Sequence, residues 1–323
     1  EMADIGRTGK ESKEGWRRAA ALLELSLVQA RERGVAEKRA EVLQALVDAY
    51  VALRDEESVL RVLAAYARVS PTRPEPWTKL GLVYLRRLGL PEEALGYFDR
   101  ALARSGRNPD ALLGKGDALT ALGRHAEALE TYRKAPSSAD AKVRVAEAEL
   151  RLGNVDGAAR AAQAALAFGD TPRALIVHGA VLYTNGELEI ARETFERAAG
   201  IEGEAGLEYR AEALYDLGLT AWRLGQPDAA LAAFEGSDRA LQFGASAGRS
   251  RDEAVAPAFG RALVALSAGN TTEFRAALSE AKEQAPHAAY ADALTGMLAS
   301  QEGNDAAAVR AFDRALRLTG VYP

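Results

Sequence analysis

The sequence predicts an all-α array of about eight helix-turn-helix repeats behind one N-terminal capping helix, and three observations carry that expectation. Ala, Leu, Arg and Glu are abundant while aromatics make up only 7% of the 323 residues, and the abundant types lose little side-chain freedom in a helix. A small or apolar residue recurs at Val47, Gly81, Gly116, Ala146, Gly179, Gly218, Ala262 and Gly296, with gaps of 34, 35, 30, 33, 39, 44 and 34. A period near 34 residues signals stacked units rather than separate domains. Seven residues past this marker, or eight in the second unit, seven of the eight units carry a glycine.

Residues 1–34 read as a tail and a first helix. Trp16, Ala19, Ala20, Leu23, Leu27 and Ala30 share one helical stripe that starts after Ser12 and stops at Gly34. Such an end helix covers the face that a repeat array leaves open. The array follows over residues 35–323. Its first unit has Arg54 at the turn, and the later units have Gly89, Gly123, Gly153, Gly186, Gly225, Gly269 and Gly303. Glycine supplies the left-handed conformation that ends a helix without steric cost.

Each second helix then shows the same face. Five residues past the turn comes alanine (Ala94, Ala128, Ala158, Ala191, Ala230, Ala308); four later an aromatic or apolar residue (Phe98, Tyr132, Ala162, Phe195, Phe234, Leu278, Phe312); three later a small one (Ala101, Ala135, Ala165, Ala198, Ser237, Ala281, Ala315). Steps of four and three lie on one helical face. Small residues let backbones approach while the ring wedges between units. Pro71, Pro109, Pro136, Pro172 and Pro286 fall near unit boundaries, where a helix must stop. Three departures imply repacking: Arg54 at the first turn, Ala162 in place of the ring, and Phe274 in place of alanine. Longer linkers are expected near 200–206 and 236–251, with Asp238 to Phe243 extending the preceding helix and Gly244 to Gly248 as a loop.

These residues resemble the tetratricopeptide repeat family. The second unit carries the pattern most fully, through Trp77, Leu80, Gly81, Tyr84, Leu88, Gly89, Ala94, Tyr97, Phe98, Ala101 and Pro109, with one extra residue at the turn. The resemblance covers residues 36 to 319 and implies a right-handed α-solenoid, or superhelix. It defines an architecture and leaves function to the surface.

Chemistry is constrained by what the chain lacks. No cysteine means no disulfide, thiolate metal site or thiol nucleophile. A formal charge of −5 gives no basic surplus for nucleic acid. No apolar run approaches the length of about 18 residues that spans a bilayer, and the start shows no signal-peptide pattern. A cytoplasmic location is therefore expected, or a periplasmic or envelope-associated one if a targeting segment has been removed. Gly244-Ala245-Ser246-Ala247-Gly248 matches the G-x-S-x-G spelling of a hydrolase elbow, but its helical context lacks the strand that an elbow requires. His125, His178 and His287 fall in three different units and form no metal-ligand spacing. No enzyme activity, metal or cofactor is expected.

The family resemblance implies that the first helix of each unit lines a concave groove for a partner peptide or helix. The facing places lie six and three residues before the marker, and one, four and five after it. They hold Glu41, Asp48, Asp110, Asp117, Asp140 and Glu147 early in the chain, then Tyr183, Tyr215, Trp222, Phe259, Leu263, Leu266, Tyr290 and Met297. The acids read either as a binding surface or as a solvated helix face. The aromatics read either as anchors or as packing between adjacent first helices. The Lys and Asn clamp of chaperone-tail binders is not reproduced, since the corresponding places hold Gln44, Asp48 and Lys79. The expectation is a protein-interaction scaffold whose partner brings basic and apolar segments. A self-associating assembly protein and a peptide-responsive regulatory module are the alternatives.

Overall fold

The computed structural model describes residues 9–243, 251–284 and 289–319, which form 17 helices and, among the described residues, no strand. The chain divides into two compact units, Glu1–Pro136 and Ser137–Pro323. The first holds α1 (Gly9–Glu32), α2 (Ala36–Leu53), α3 (Glu56–Val69), α4 (Glu75–Arg86), α5 (Pro91–Leu102), α6 (Pro109–Ala121) and α7 (His125–Lys134). The second holds α8 (Ala139–Arg151), α9 (Val155–Leu166), α10 (Pro172–Asn185), α11 (Leu188–Gly200), α12 (Glu204–Arg223), α13 (Pro227–Phe243), α14 (Arg251–Ser267), α15 (Thr271–Gln284), α16 (Ala289–Gln301) and α17 (Asp305–Thr319). One leading helix is thus followed by eight helix pairs, an all-α solenoid of repeats.

Each first helix of a pair ends on one left-handed residue. At Gly123, with φ 73°, the Gly123 N–H reaches the Thr120 carbonyl at 2.9 Å and the Arg124 N–H reaches the Leu119 carbonyl at 2.9 Å. This double closure satisfies carbonyls that a helix end leaves open. The second of the two bonds, which spans five residues, recurs as Asp55 to Tyr50, Asn154 to Glu149, Glu187 to Leu182, Gln226 to Ala221, Asn270 to Ala265 and Asn304 to Ala299. In the second pair it runs one residue further, from the Leu90 N–H to the Tyr84 carbonyl at 2.9 Å, which accounts for the extra residue in that unit's spacing. Arg54 adopts the same conformation without being glycine, at φ 57° and ψ 34°. Its side chain meets strain on the order of 1 kcal/mol there.

The aromatic ring of the second helix lies where two first helices come close. A Cβ placed on Gly81 would meet the Phe98 ring at 2.6 Å, and one on Gly114 of the next pair would strike the same ring. Phe234 lies likewise against Gly218 and Gly260, and Phe195 against Gly179. The rings are fully buried. In the fourth pair the volume has moved across the contact: Ala162 is matched by Ala146 at the marker and by Val177 on the next first helix, all within one buried cluster. In the seventh pair the ring sits one helical turn earlier, as Phe274, among Ala258, Ala262, Ala277 and Ala281.

The linker expected over 200–206 is shorter than its glycines suggest. Only residues 201–203 are non-helical. Gly203 alone takes a positive φ, 88°, whereas Gly200 ends α11 and Gly206 lies inside α12. Glycine at 206 serves close approach, because a Cβ there would strike the Ile201 carbonyl. Helix α13 does continue through Asp238 to Phe243. Gly244 to Gly248, Pro286 and His287 lie outside the described residues.

Candidate functional site

The first helices carry the predicted site, and in each unit their facing residues are largely engaged with one another. In the first unit, α2, α4 and α6 are tied in succession. Asp48 of α2 accepts a hydrogen bond from Lys79 of α4 at 2.6 Å. On α6, Asp117 Oδ1 accepts from Tyr132 Oη at 2.8 Å, and its Oδ2 lies 3.8 Å from Arg86 Nη2 of α4. Asp110, two helical turns earlier on α6, is exposed. So are Glu41 and Glu75, which occupy the same place, six residues before the marker, on α2 and α4.

In the second unit, Asp140 is exposed and lies 3.7 Å from Arg144 of its own helix. Glu147 of α8 takes two hydrogen bonds from Arg173 of α10, at 3.1 and 2.9 Å. Asp110 and Asp117 therefore belong to one compact unit, Asp140 and Glu147 to the other. Tyr183 of α10 lies under the Arg223 guanidinium of α12, 4.4 Å from ring centroid to carbon, and Arg223 also donates to the Tyr183 carbonyl at 3.1 Å. A cation over an aromatic face is held by the ring quadrupole.

The remaining aromatics also reach across helices. Tyr215 packs on Phe234 with centroids 5.7 Å apart. Trp222 of α12 donates through Nε1 to Ser267 Oγ of α14 at 3.0 Å, and its ring joins the cluster of Ala221, Ala230, Phe234 and Val264. Tyr183, Tyr215, Trp222 and Phe259 are half-buried. Leu263, only 8% exposed, has its surface taken up by packing. Tyr290 is the second residue of α16, and its side chain lies outside the described residues.

The partners of these groups, Lys79, Arg86, Arg173, Arg223 and Ser267, are absent from the sequence-based site. Arg173 carried a readable signal: it stands six before the marker, where Glu41, Asp110 and Asp140 stand in other units. A basic residue at a place that is acidic in five other units points to a neighbour it neutralises.

Two titratable groups beside this face are displaced. Burial, with Glu212 one helical turn away, pushes the Asp216 carboxyl well above the usual carboxylate range. Burial and the nearby Arg197 lower the half-buried His178. Among the described residues no three His, Asp or Glu side chains converge as metal ligands. No described helix is long and apolar enough to cross a membrane.

A sequence profile described as tetratricopeptide repeat matches residues 78–142, 143–206, 176–247 and 215–289, more than half of the chain. No curated protein matches in sequence. Among solved structures, the APC/C hetero-tetramer Cut9-Hcn1 matches with a TM-score of 0.63 at 16% identity, covering 98% of this chain. The chain spans 58% of that protein's length. A tetratricopeptide repeat protein from Parabacteroides merdae matches with a TM-score of 0.59 at 16% identity, covering 86% of this chain and 98% of the other. PilW, a type IV pilus biogenesis factor, matches with a TM-score of 0.54 at 18% identity, covering 68% of this chain and 96% of the other. At such identities the likeness is one of fold.

Proposed function

The chain belongs to the tetratricopeptide repeat family, an architecture that generally serves protein–protein interaction, and from that premise we propose that it is a non-catalytic scaffold that binds protein partners on its first-helix faces. The observation that carries this reading is the column of exposed carboxylates Glu41, Glu75 and Asp110 on three successive first helices of the first unit. Exposed like charges in register repel one another mildly and are relieved by a cationic ligand. A lysine- or arginine-rich segment of a partner fits that column. In this reading α1 caps the array, and no nucleic acid, membrane span or cofactor takes part.

The second unit would receive apolar side chains on the half-buried rings of Tyr183, Tyr215, Trp222 and Phe259, with Tyr290 assigned to the same surface by its place in the sequence alone. Half-buried aromatics make effective anchors because little freedom is lost when a ligand covers them. Asp140 and Glu147 belong to this second surface, with Glu147 already partly neutralised by Arg173.

Fluorescence anisotropy with a labelled lysine-rich peptide and an acidic peptide of equal length tests the reading. Preferential binding of the basic peptide, weakened as salt rises and by Glu75→Lys with Asp110→Lys, is the expected result, since screening at about 0.15 M acts over about 8 Å. Equal binding of both peptides, or no change in the double variant, would overturn it.

A further inference from the structure

Helix α1 has two apolar faces. Trp16, Ala20, Leu23 and Leu27 pack on α2 and its neighbours, and Glu24 fixes the helix by accepting from Tyr50 Oη at 3.0 Å and Arg61 Nη2 at 3.2 Å. On the opposite side Leu22, Leu25 and Val28 are 65%, 63% and 55% exposed. Single exposed apolar residues are ordinary, but three on one stripe of one helix are not.

The stripe is self-complementary. Counted outward from Leu25, Leu22 and Val28 stand three residues to either side, Ala21 and Gln29 four, and Arg18 and Glu32 seven. Arg18, Leu22, Leu25, Gln29 and Glu32 follow steps of four, three, four and three, the spacing of a helix–helix seam. Its apolar members are central and its charges terminal, with opposite signs at the two ends. The Ser26 hydroxyl beside the seam is already satisfied, donating to the Leu22 carbonyl at 2.9 Å. Covering this face would leave that donor paired.

The geometry points to a second copy of this chain as the occupant, docked α1 against α1 in antiparallel fashion about a two-fold axis at Leu25. That arrangement sets Leu25 on Leu25, Leu22 on Val28, and Arg18 on Glu32 of the second copy at both ends. A parallel pairing would instead bring Arg18 onto Arg18 and Glu32 onto Glu32. An isologous contact of this kind closes at two subunits. One helix crossing buries less than a standard interface, so the dimer is weak and concentration-dependent.

Sedimentation of the full chain over about 1 to 500 μM tests this, a range that brackets a micromolar dissociation constant. The mass is expected to rise from 34.4 kDa towards twice that value. Leu25→Lys should hold the protein monomeric at every concentration with an unchanged melting temperature, because the side chain is exposed. Arg18→Glu or Glu32→Arg alone should weaken association about three- to tenfold, and the two together should restore it. A wild-type protein monomeric throughout, as it would be if an unrelated helix or another part of the chain belonged on this face, overturns the proposal. So does a dimer that survives Leu25→Lys, or a double swap that fails to recover association.

Discussion

Arg173 and Glu147 face each other across α10 and α8 through two hydrogen bonds, Nε to Oε1 at 3.1 Å and Nη2 to Oε2 at 2.9 Å. The pair joins consecutive first helices, so it couples two repeats rather than two turns of one helix. Both side chains keep some solvent access, at 25% and 34%, which moderates its strength. A double-mutant cycle with Arg173→Ala and Glu147→Ala should return a coupling of about 1 kcal/mol in urea unfolding. Arg173→Ala should also speed association with a basic peptide, because Glu147 is then unneutralised. Zero coupling would reduce the contact to an incidental surface meeting.

Arg54 offers a test in the opposite direction. Because it holds the left-handed conformation that glycine holds in the other repeat turns, Arg54→Gly should stabilise the protein by about 0.5–1 kcal/mol despite the added freedom of the unfolded chain. Gly123→Ala should destabilise it by a similar amount. Chemical denaturation of both variants measures the pair, and a destabilised Arg54→Gly would show that the Arg54 side chain contributes more than its strain costs.

Trp222 separates anchoring from packing. Its ring and its bond to Ser267 link α12 with α14. Trp222→Ala should cost about 2–3 kcal/mol of stability, whereas Ser267→Ala, which removes the acceptor for the indole, should cost about 1 kcal/mol. A Trp222→Ala variant with unaltered unfolding and lost peptide binding would make the residue a ligand anchor and nothing more.

Acid and base act on the second unit through different groups. Asp216 has its folded-state pKa raised by burial and Glu212. The folded state therefore holds the proton more tightly, and the stability this gives is full below the usual carboxylate range and lost as pH rises through the raised value. Asp216→Asn should accordingly stabilise the protein at pH 7 and have little effect near pH 3. His178 is shifted down by burial, so its contribution is present above the usual imidazole value and is lost as pH falls through the lowered one. His178→Gln should flatten the decline that sets in as pH falls below the usual imidazole range. Melting temperatures of the two variants across pH 3 to 8 check both signs.

The repeat was legible because its two strictest demands are written in single residues. A left-handed turn asks for glycine, and a ring laid across two backbones asks for glycine or alanine beneath it. Where those demands are met otherwise, the sequence misled or fell silent. Arg54 tolerates the turn conformation at a cost, and Ala162 works only because Ala146 and Val177 fill the space opposite. Gly200 and Gly206 resembled a linker, yet only Gly203 bends the chain. The recurrence of one set of places along the first helices was also legible. That Glu147, Asp117, Tyr183 and Trp222 would be taken up by Arg173, Arg86, Arg223 and Ser267 was not, because a contact between repeats depends on the reach of two side chains whose columns differ.

The exchange of volume around Ala162 bears on how such a gene can be rearranged. A crossover that replaced the fourth repeat with a copy of the second would carry the Phe98 ring onto the branched Val177, where the native neighbour is a methyl group; the reverse crossover would set a methyl over Gly114 and leave a hole. Overpacking and cavities each cost on the order of 1–3 kcal/mol or more. Neighbouring repeats are therefore fitted as pairs, and duplication or loss should be tolerated best at junctions where ring and glycine on either side still match.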